Sequence, residues 1–189
     1  MLRKIKRCSW VTGSSLYIKY HDCEWGVPIF NDKNIFECLL LESFQAGLSW
    51  IIILKKRDNF RKSFDGFDYK KIAKYSKNKI KELENDSGIV RNKLKIKAAK
   101  ENAMCYIKIQ KEFGSFSNYI WGFVNYTPIH YNPRPARKLA KKISLDMKKR
   151  GFKFIGPTII YSFIESIGLV NNHAKNCFRY QEIKSISSI

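Results

Sequence analysis

Apolar residues recur along most of this chain at helical intervals. Ile35, Phe36, Leu39, Leu40 and Phe44 share one helix face, and Asp32 stands where a capping residue belongs. Gly47 breaks that run, and a second follows from Ser49 through Trp50, Ile51, Ile52, Ile53 and Leu54 into Lys55, Lys56 and Arg57. A third helix is expected after Ser76, with Ile80 and Leu83 turned inward, ending before Asp86-Ser87-Gly88-Ile89-Val90; a basic helix then runs from about Arg91 to Gln110. Arg134 to Arg150 reads as a basic amphipathic helix entered through Pro133 and Pro135, with Gly151 suited to its C-terminal cap. Pro157 opens another apolar helix at a position where its missing N–H costs little, and Gly168 closes it. Strand signals are short, around Val11 to Lys19 and Phe152 to Ile155, so the expected class is all-α, without repeats or low-complexity segments.

At 189 residues and 22.2 kDa the chain can bury one good core, and a single domain is expected over residues 1–189. Charge is the unusual quantity. Against 16 Asp and Glu stand 36 Lys and Arg, a net +20, which favours a polyanionic partner such as nucleic acid. An AT-rich genome, which enriches Lys, Ile and Asn, would push composition the same way. No apolar run approaches the roughly 20 residues of a membrane span. The basic start turns polar at Cys8 and Ser9 without a signal-peptide core, so a cytoplasmic protein is expected. Five cysteines, an odd and scattered set, argue for thiols or metal ligands over disulfides.

Three constellations could carry chemistry. Three of the four Trp (Trp10, Trp25, Trp50) fall in the first fifty residues beside Tyr17 and Tyr20, offering flat faces for an electron-poor ring. Glu42 stands among them in sequence, but it lies off the Phe36, Leu40, Phe44 stripe, where a solvent-facing acid is the plain expectation. Cys8 and His21 near the start, with His173 and Cys177 near the end, make two thiols and two imidazoles; the latter pair, four apart, would share one face if they lie on a helix, and the set would suit a closed tetrahedral zinc site. Packed, non-ligating roles are the alternative, and His130 has no evident partner. The turn at Gly88 between two helices resembles a helix-hairpin-helix, in which backbone N–H groups grip a phosphate, with Arg91, Lys93, Lys95 and Lys97 adding cations. Its second glycine is replaced by Val90, and an ordinary helix C-cap reads the same way.

Taken in order, Cys8-Ser9-Trp10, Tyr17-Ile18-Lys19-Tyr20-His21-Asp22, Glu24-Trp25-Gly26-Val27-Pro28, Gln45-Ala46-Gly47-Leu48-Ser49-Trp50, Lys149-Arg150-Gly151-Phe152-Lys153-Phe154 and Gly168-Leu169-Val170-Asn171 resemble the DNA-3-methyladenine glycosylase I family. The resemblance runs from about Arg7 to Tyr180, leaving 1–6 and 181–189 as tails. It implies a helix-hairpin-helix DNA glycosylase fold, a zinc site joining the N- and C-terminal segments, and hydrolysis of the N-glycosidic bond of 3-methyladenine in double-stranded alkylated DNA. By matching position, Glu42 and Tyr20 hydrogen-bond the flipped base, Trp50 stacks on it, and Trp10, Tyr17 and Trp25 complete the pocket. Glu42 is the candidate catalytic residue. Cys8, His21, His173 and Cys177 match the ligands of one structural zinc ion. Gly47 and Leu48 match the duplex wedge, Gln45 stands beside the vacated nucleotide, and Gly88, Arg91 and Lys93 would meet the backbone. The segment from Thr127 to Arg137 departs from the family, being basic and Pro-rich where relatives are longer and more acidic.

No Asp occurs between Asp86 and Asp146, and only Glu101 and Glu112 are acidic there, so the catalytic aspartate of other helix-hairpin-helix glycosylases is missing. Asn92 occupies the position of the Schiff-base lysine of bifunctional relatives, which implies a monofunctional enzyme leaving an intact abasic site. A monomer is expected. The rival class is a noncatalytic DNA-binding module that senses damage. A nuclease or lyase is disfavoured because no paired-carboxylate metal site is visible.

Overall fold

The computed structural model describes residues 5–131 and 133–186; residues 1–4 and 187–189 of the expected tails, and Asn132 of the atypical loop, lie outside the described residues. Ten helices appear among them: α1 (Ser15–Cys23), α2 (Asp32–Gln45), α3 (Trp50–Ser63), α4 (Tyr69–Ile72), α5 (Lys77–Asn85), α6 (Lys93–Phe113), α7 (Phe116–Gly122), α8 (Pro133–Lys149), α9 (Pro157–Ser166) and α10 (Phe178–Ile186). Two short strands, β1 (Ile129–His130) and β2 (Val170–Asn171), pair in parallel. The mostly helical expectation holds, and the exceptions are tertiary. Val11 to Lys19 is not a strand, since its second half enters α1; Phe152 to Ile155 is irregular, with Phe154 at φ 53°, while the pairing falls where two distant loops meet. α10 carries buried Ile183 past the Tyr180 limit of the resemblance.

α2 is the central element. Ile35, Phe36, Leu39, Leu40, Leu41, Glu42, Ser43 and Phe44 are all buried, and α3, α9 and α6 pack against the helix. Its cap is Asn31, whose side chain accepts from the Asn34 N–H at 3.1 Å, and Asp32 is the first helical residue. Asp32 instead accepts from the N–H groups of Phe116 and Ser117 at 3.0 and 2.8 Å, so it does cap a helix, but α7, more than eighty residues on. The α8 stripe of Ala136, Ala140, Ile143 and Met147 packs on α9, which in turn lies against α2. α6 begins two residues later and runs three further than its sequence pattern suggests, because Asn92 caps it through the Lys95 N–H and Gly114, at φ 82°, ends it.

A second, smaller apolar cluster brings the chain ends together: Cys8, Tyr20, Trp25, Leu54 and Cys177. The Phe178 N–H donates to the Lys6 carbonyl at 3.0 Å, and Arg7 grips Asp22 at 2.7 Å.

Gly168 lies against the Val27–Pro28 backbone, just beyond Trp25 of this cluster. It ends α9 at φ 77°, and a Cβ there would sit 2.5 Å from the backbone nitrogen of Pro28, so both conformation and space demand glycine. Gly168→Ala is expected to cost roughly 2–5 kcal/mol of stability, whereas Gly13→Ala, where a Cβ meets nothing within 4 Å, stays within about 0.5 kcal/mol. Urea titration of the two variants checks this; equal midpoints would contradict it.

Candidate functional site

All six expected pocket residues, Trp10, Tyr17, Tyr20, Trp25, Glu42 and Trp50, line one cleft of about 810 Å³, together with Gln45. The indole of Trp50 and the phenol of Tyr20 face each other across 5.3 Å at 50°, and Trp10 stands at the rim, edge-on to Tyr17 and Trp25 at 5.8 and 5.0 Å. Tyr17 also accepts the Ile51 N–H at 3.2 Å, holding the first turn of α3 against α1.

Glu42 is not solvent-facing. Only 3% of it is exposed, because α2 is packed among other helices, and its Oε2 has no hydrogen-bond partner. Trp50 Nε1 is likewise buried and unpartnered, so the cleft presents one orphan acceptor and one orphan donor. Burial, with the nearby Glu165 second, pushes the Glu42 carboxyl up to about 8. Burial also holds the Tyr20 phenol well above its ordinary value, so it remains a hydrogen-bond donor.

The wall opposite carries residues that the sequence pattern did not single out. Glu165 of α9 accepts from Asn172 Nδ2 at 2.6 Å, Asn172 also reaches the Tyr161 hydroxyl at 3.2 Å, and the Arg137 guanidinium lies 5.2 Å from the Tyr161 ring. Burial pushes Glu165 up to about 7 against the opposing pull of these neighbours. The cleft therefore holds two carboxyls, where the sequence suggested one. A usable signal existed: Glu165 is the only charged residue of α9.

Cys8, His21, His173 and Cys177 are all buried, and their donor atoms lie within 4.8 Å of one another. Cys8 Sγ and Cys177 Sγ are 3.6 and 3.7 Å from His173 Nδ1, and Cys177 Sγ is 3.4 Å from His21 Nε2. A tetrahedral zinc ion with ordinary Zn–S and Zn–N bonds separates its sulfur and nitrogen donors by roughly 3.5 Å. The outer nitrogens are also engaged, His21 Nδ1 with Asp22 at 2.7 Å and His173 Nε2 with the Trp25 carbonyl at 2.9 Å, which turns each unprotonated nitrogen toward the cluster. Burial, helped by the neighbouring Cys177, pushes the Cys8 thiol up to about 11, and burial, helped by His21 and Arg179, pushes His173 down to about 4, so a cation is what would favour thiolates here. The donor set fits a metal ion. His130, outside the cluster, lies 3.4 Å from Asn171 Nδ2.

The duplex-facing candidates sit on two turns. Gly47, at φ 80°, bends the chain between α2 and α3 and leaves Leu48 38% exposed beside the cleft mouth. Gly88 lies on the turn between α5 and α6, where Lys56 Nζ donates to the carbonyls of Ser87 and Gly88 at 2.8 and 3.2 Å. Its own N–H donates to Asp86 Oδ1 at 2.7 Å, so this glycine shapes the turn and its amide is already used. Arg91 and Lys93 are exposed just beyond.

A helical cleft walled by aromatic faces, with an orphan carboxyl in its lining and a basic exterior, has the faces and the charge to receive a flat, electron-poor ring. Comparison with known proteins narrows this. The model of the methyladenine glycosylase family matches residues 10–180. A DNA-3-methyladenine glycosylase of Haemophilus influenzae is 44% identical over 177 residues, covering 90% of this chain and 96% of the relative, and DNA-3-methyladenine glycosylase 1 of Escherichia coli is 42% identical, covering 93% and 97%. The solved 3-methyladenine DNA glycosylase I of Staphylococcus aureus superposes with a TM-score of 0.86 at 37% identity, covering 92% of this chain and 96% of that one. The chain belongs to the methyladenine glycosylase family.

The raised Glu42 carboxyl has a consequence for stability. In the unfolded chain it loses its proton near 4.5, in the fold only near 8, so stability falls as pH rises between those values. Glu42→Gln should flatten that fall and be more stable than the parent at pH 8 by roughly 1–3 kcal/mol. Urea unfolding at pH 5 and pH 8 measures it, and an unchanged pH dependence would count against the assignment.

Proposed function

We propose that this protein excises 3-methyladenine from alkylated double-stranded DNA as a monofunctional N-glycosylase. The observation that carries this reading is the buried, unpartnered Glu42 carboxyl among the faces of Trp50 and Tyr20, in a family whose relatives bear that activity in their names.

Methylation of adenine at N3 makes the base cationic while it is bonded to the sugar. Once the nucleotide is turned out of the stack, the ring enters the cleft, where π-faces favour a positive charge and the Glu42 carboxyl, releasing its proton to solvent as the cation arrives, meets it as a carboxylate. Neutral adenine lacks that attraction. When the glycosidic bond breaks, its electron pair goes to the base, which leaves neutral; the sugar carbon, now electron-deficient, takes the oxygen of water, and the water proton passes to solvent. Because the leaving group is activated by its own charge, no strong base is required. Glu42 then acts by orienting the ring and by its field, with Tyr20 donating its phenolic proton to the ring edge and Trp50 stacking on it. Trp10, Tyr17 and Trp25 exclude water from the outer wall.

On the duplex, the α5–α6 unit serves as the helix-hairpin-helix: Gly88 shapes the turn, and Arg91 and Lys93 meet phosphates. Gly47 and Leu48 wedge into the stack, and Gln45 faces the space left by the extruded nucleotide. Asn92 caps α6, the exposed Lys93 lies outside the cleft, and Lys95 Nζ is bonded to two carbonyls, which supports hydrolysis without a Schiff base. Cys8, His21, His173 and Cys177 would hold one structural zinc ion, which supplies cross-linking of the chain ends and no open coordination position. The protein acts as a single domain and a monomer in the cytoplasm; among the described residues no helix is long and apolar enough to cross a membrane.

Chromatography of bases freed from methylated duplex DNA tests the reading. The parent chain should release 3-methyladenine, leave intact abasic sites and form no borohydride-trapped adduct, while Glu42→Ala should be slower by roughly a hundredfold. Binding to methylated duplex without release of any base would make the protein a damage sensor instead. For the metal, elemental analysis should find one zinc per chain, and Cys177→Ser should lower stability by roughly 3 kcal/mol or more. Folded, active protein with no bound metal would refute that site.

A further inference from the structure

Lys95 is a buried cation without an ion-pair partner among the described residues. It lies in the first turn of α6, 6% exposed, and burial pushes the pKa of its ammonium down. Its Nζ donates to the carbonyl of Phe44 at 2.8 Å and to that of Ala46 at 2.6 Å. These belong to the last turn of α2, whose carbonyls have no helical partner and form the negative end of the helix dipole. Between them, the Gln45 carbonyl accepts the Leu48 N–H at 2.7 Å, so three successive carbonyls, of residues 44, 45 and 46, are held at once. Gly47 then turns the chain at φ 80°, and nothing lies within 4 Å of where its Cβ would be.

The other end of the connection is equally fixed. The Lys95 backbone N–H is the one that caps α6 through Asn92, the residue directly after the Asp86–Arg91 turn. Lys56 of α3 holds that turn through the Ser87 and Gly88 carbonyls. One side chain thus bridges the two turns that face the duplex in the proposed function.

We infer that Lys95 is a positioning residue: it sets the Gln45–Ser49 turn against the Asp86–Arg91 turn, so that Leu48 enters the stack when the hairpin engages phosphate. This rests on the wedge and hairpin roles proposed above. Lys95 touches neither base nor sugar, and with two carbonyls accepting from Nζ it is not a nucleophile.

Lys95→Met keeps the length of the side chain and removes both donors. The primary readout needs no catalysis: the fluorescence of 2-aminopurine placed next to a tetrahydrofuran abasic site in a duplex, which rises when a wedge unstacks it. The parent should raise this signal at saturation and Lys95→Met should lose most of it. Affinity for free 3-methyladenine, read by tryptophan quenching, should stay within about twofold because Trp50 and Glu42 are untouched, while single-turnover excision from duplex falls by roughly tenfold to a hundredfold. Lys95→Gln, with a neutral amide donor, should recover part of the signal and covers the case in which the Met variant folds poorly. In a Leu48→Ala background the Lys95→Met change should cost little, since the lysine acts through Leu48. An undiminished 2-aminopurine signal in both variants overturns the inference, as does a parallel fall of free-base affinity, or a full effect without Leu48. A parent chain that unstacks the duplex but frees no base would sink the glycosylase reading and leave the role of Lys95 standing.

Discussion

A carboxyl group taken out of water and given no partner is costly, and Glu42 is such a group. The fold holds it there by packing α9, α3 and α6 against α2 and leaving its remaining side to a cleft lined by aromatic rings. A surface loop could not keep an acid in this state, because the chain would relax and hydrate it. The same packing sets Glu165 across the cleft, so each carboxyl lies in a site where ionisation is disfavoured. A ring carrying a positive charge relieves that condition, and a neutral ring of the same shape does not. Selectivity in the proposed function therefore follows from an unfavourable feature of the folded protein.

The aromatic wall depends on the chain ends. Trp10 and Tyr20 lie two residues after Cys8 and one before His21, and Cys8 and His21 meet His173 and Cys177 in the second cluster. Asp22 ties to both His21 and Arg7, and Trp25 both packs on His173 and accepts from it. Pocket wall and Cys/His cluster are thus one structural unit. A disturbance of the cluster reaches the wall directly, which is why a metal with no open position would still matter to the chemistry.

The net charge of +20 is spread over many helices, with α8, whose first turns reach the cleft through Pro133 and Arg137, as its densest stretch. Such charge draws in a polyanion without selecting among sequences. In the proposed function the shape of the two turns, not the count of lysines, gives the surface offered to the duplex its definition. There the glycines act differently: Gly47 supplies a backbone conformation, and Gly88 supplies room, since a Cβ would stand 3.0 Å from Asp86 Oδ1.

The approximate limits of α2, α3, α5, α6, α8 and α9 were legible in spacings such as Ile35 to Phe44, Ile80 and Leu83, and the Ala136 to Met147 stripe, because a helix that buries one face must repeat at its own period, whereas α1, read as a strand, and α4, α7 and α10 were not. Cys8, His21, His173 and Cys177 were legible as a possible set because ligand chemistry restricts residue type. Periodicity could not say that Glu42 is buried, since that depends on how many neighbours α2 has and not on which face is apolar. It also could not find Asp32 capping α7, the 129–130 and 170–171 pairing, or Glu165 opposite Glu42, each a contact between segments far apart in the chain. Local pattern determines what each segment prefers to become; the acidity of the pocket is settled only when those segments pack and water is excluded.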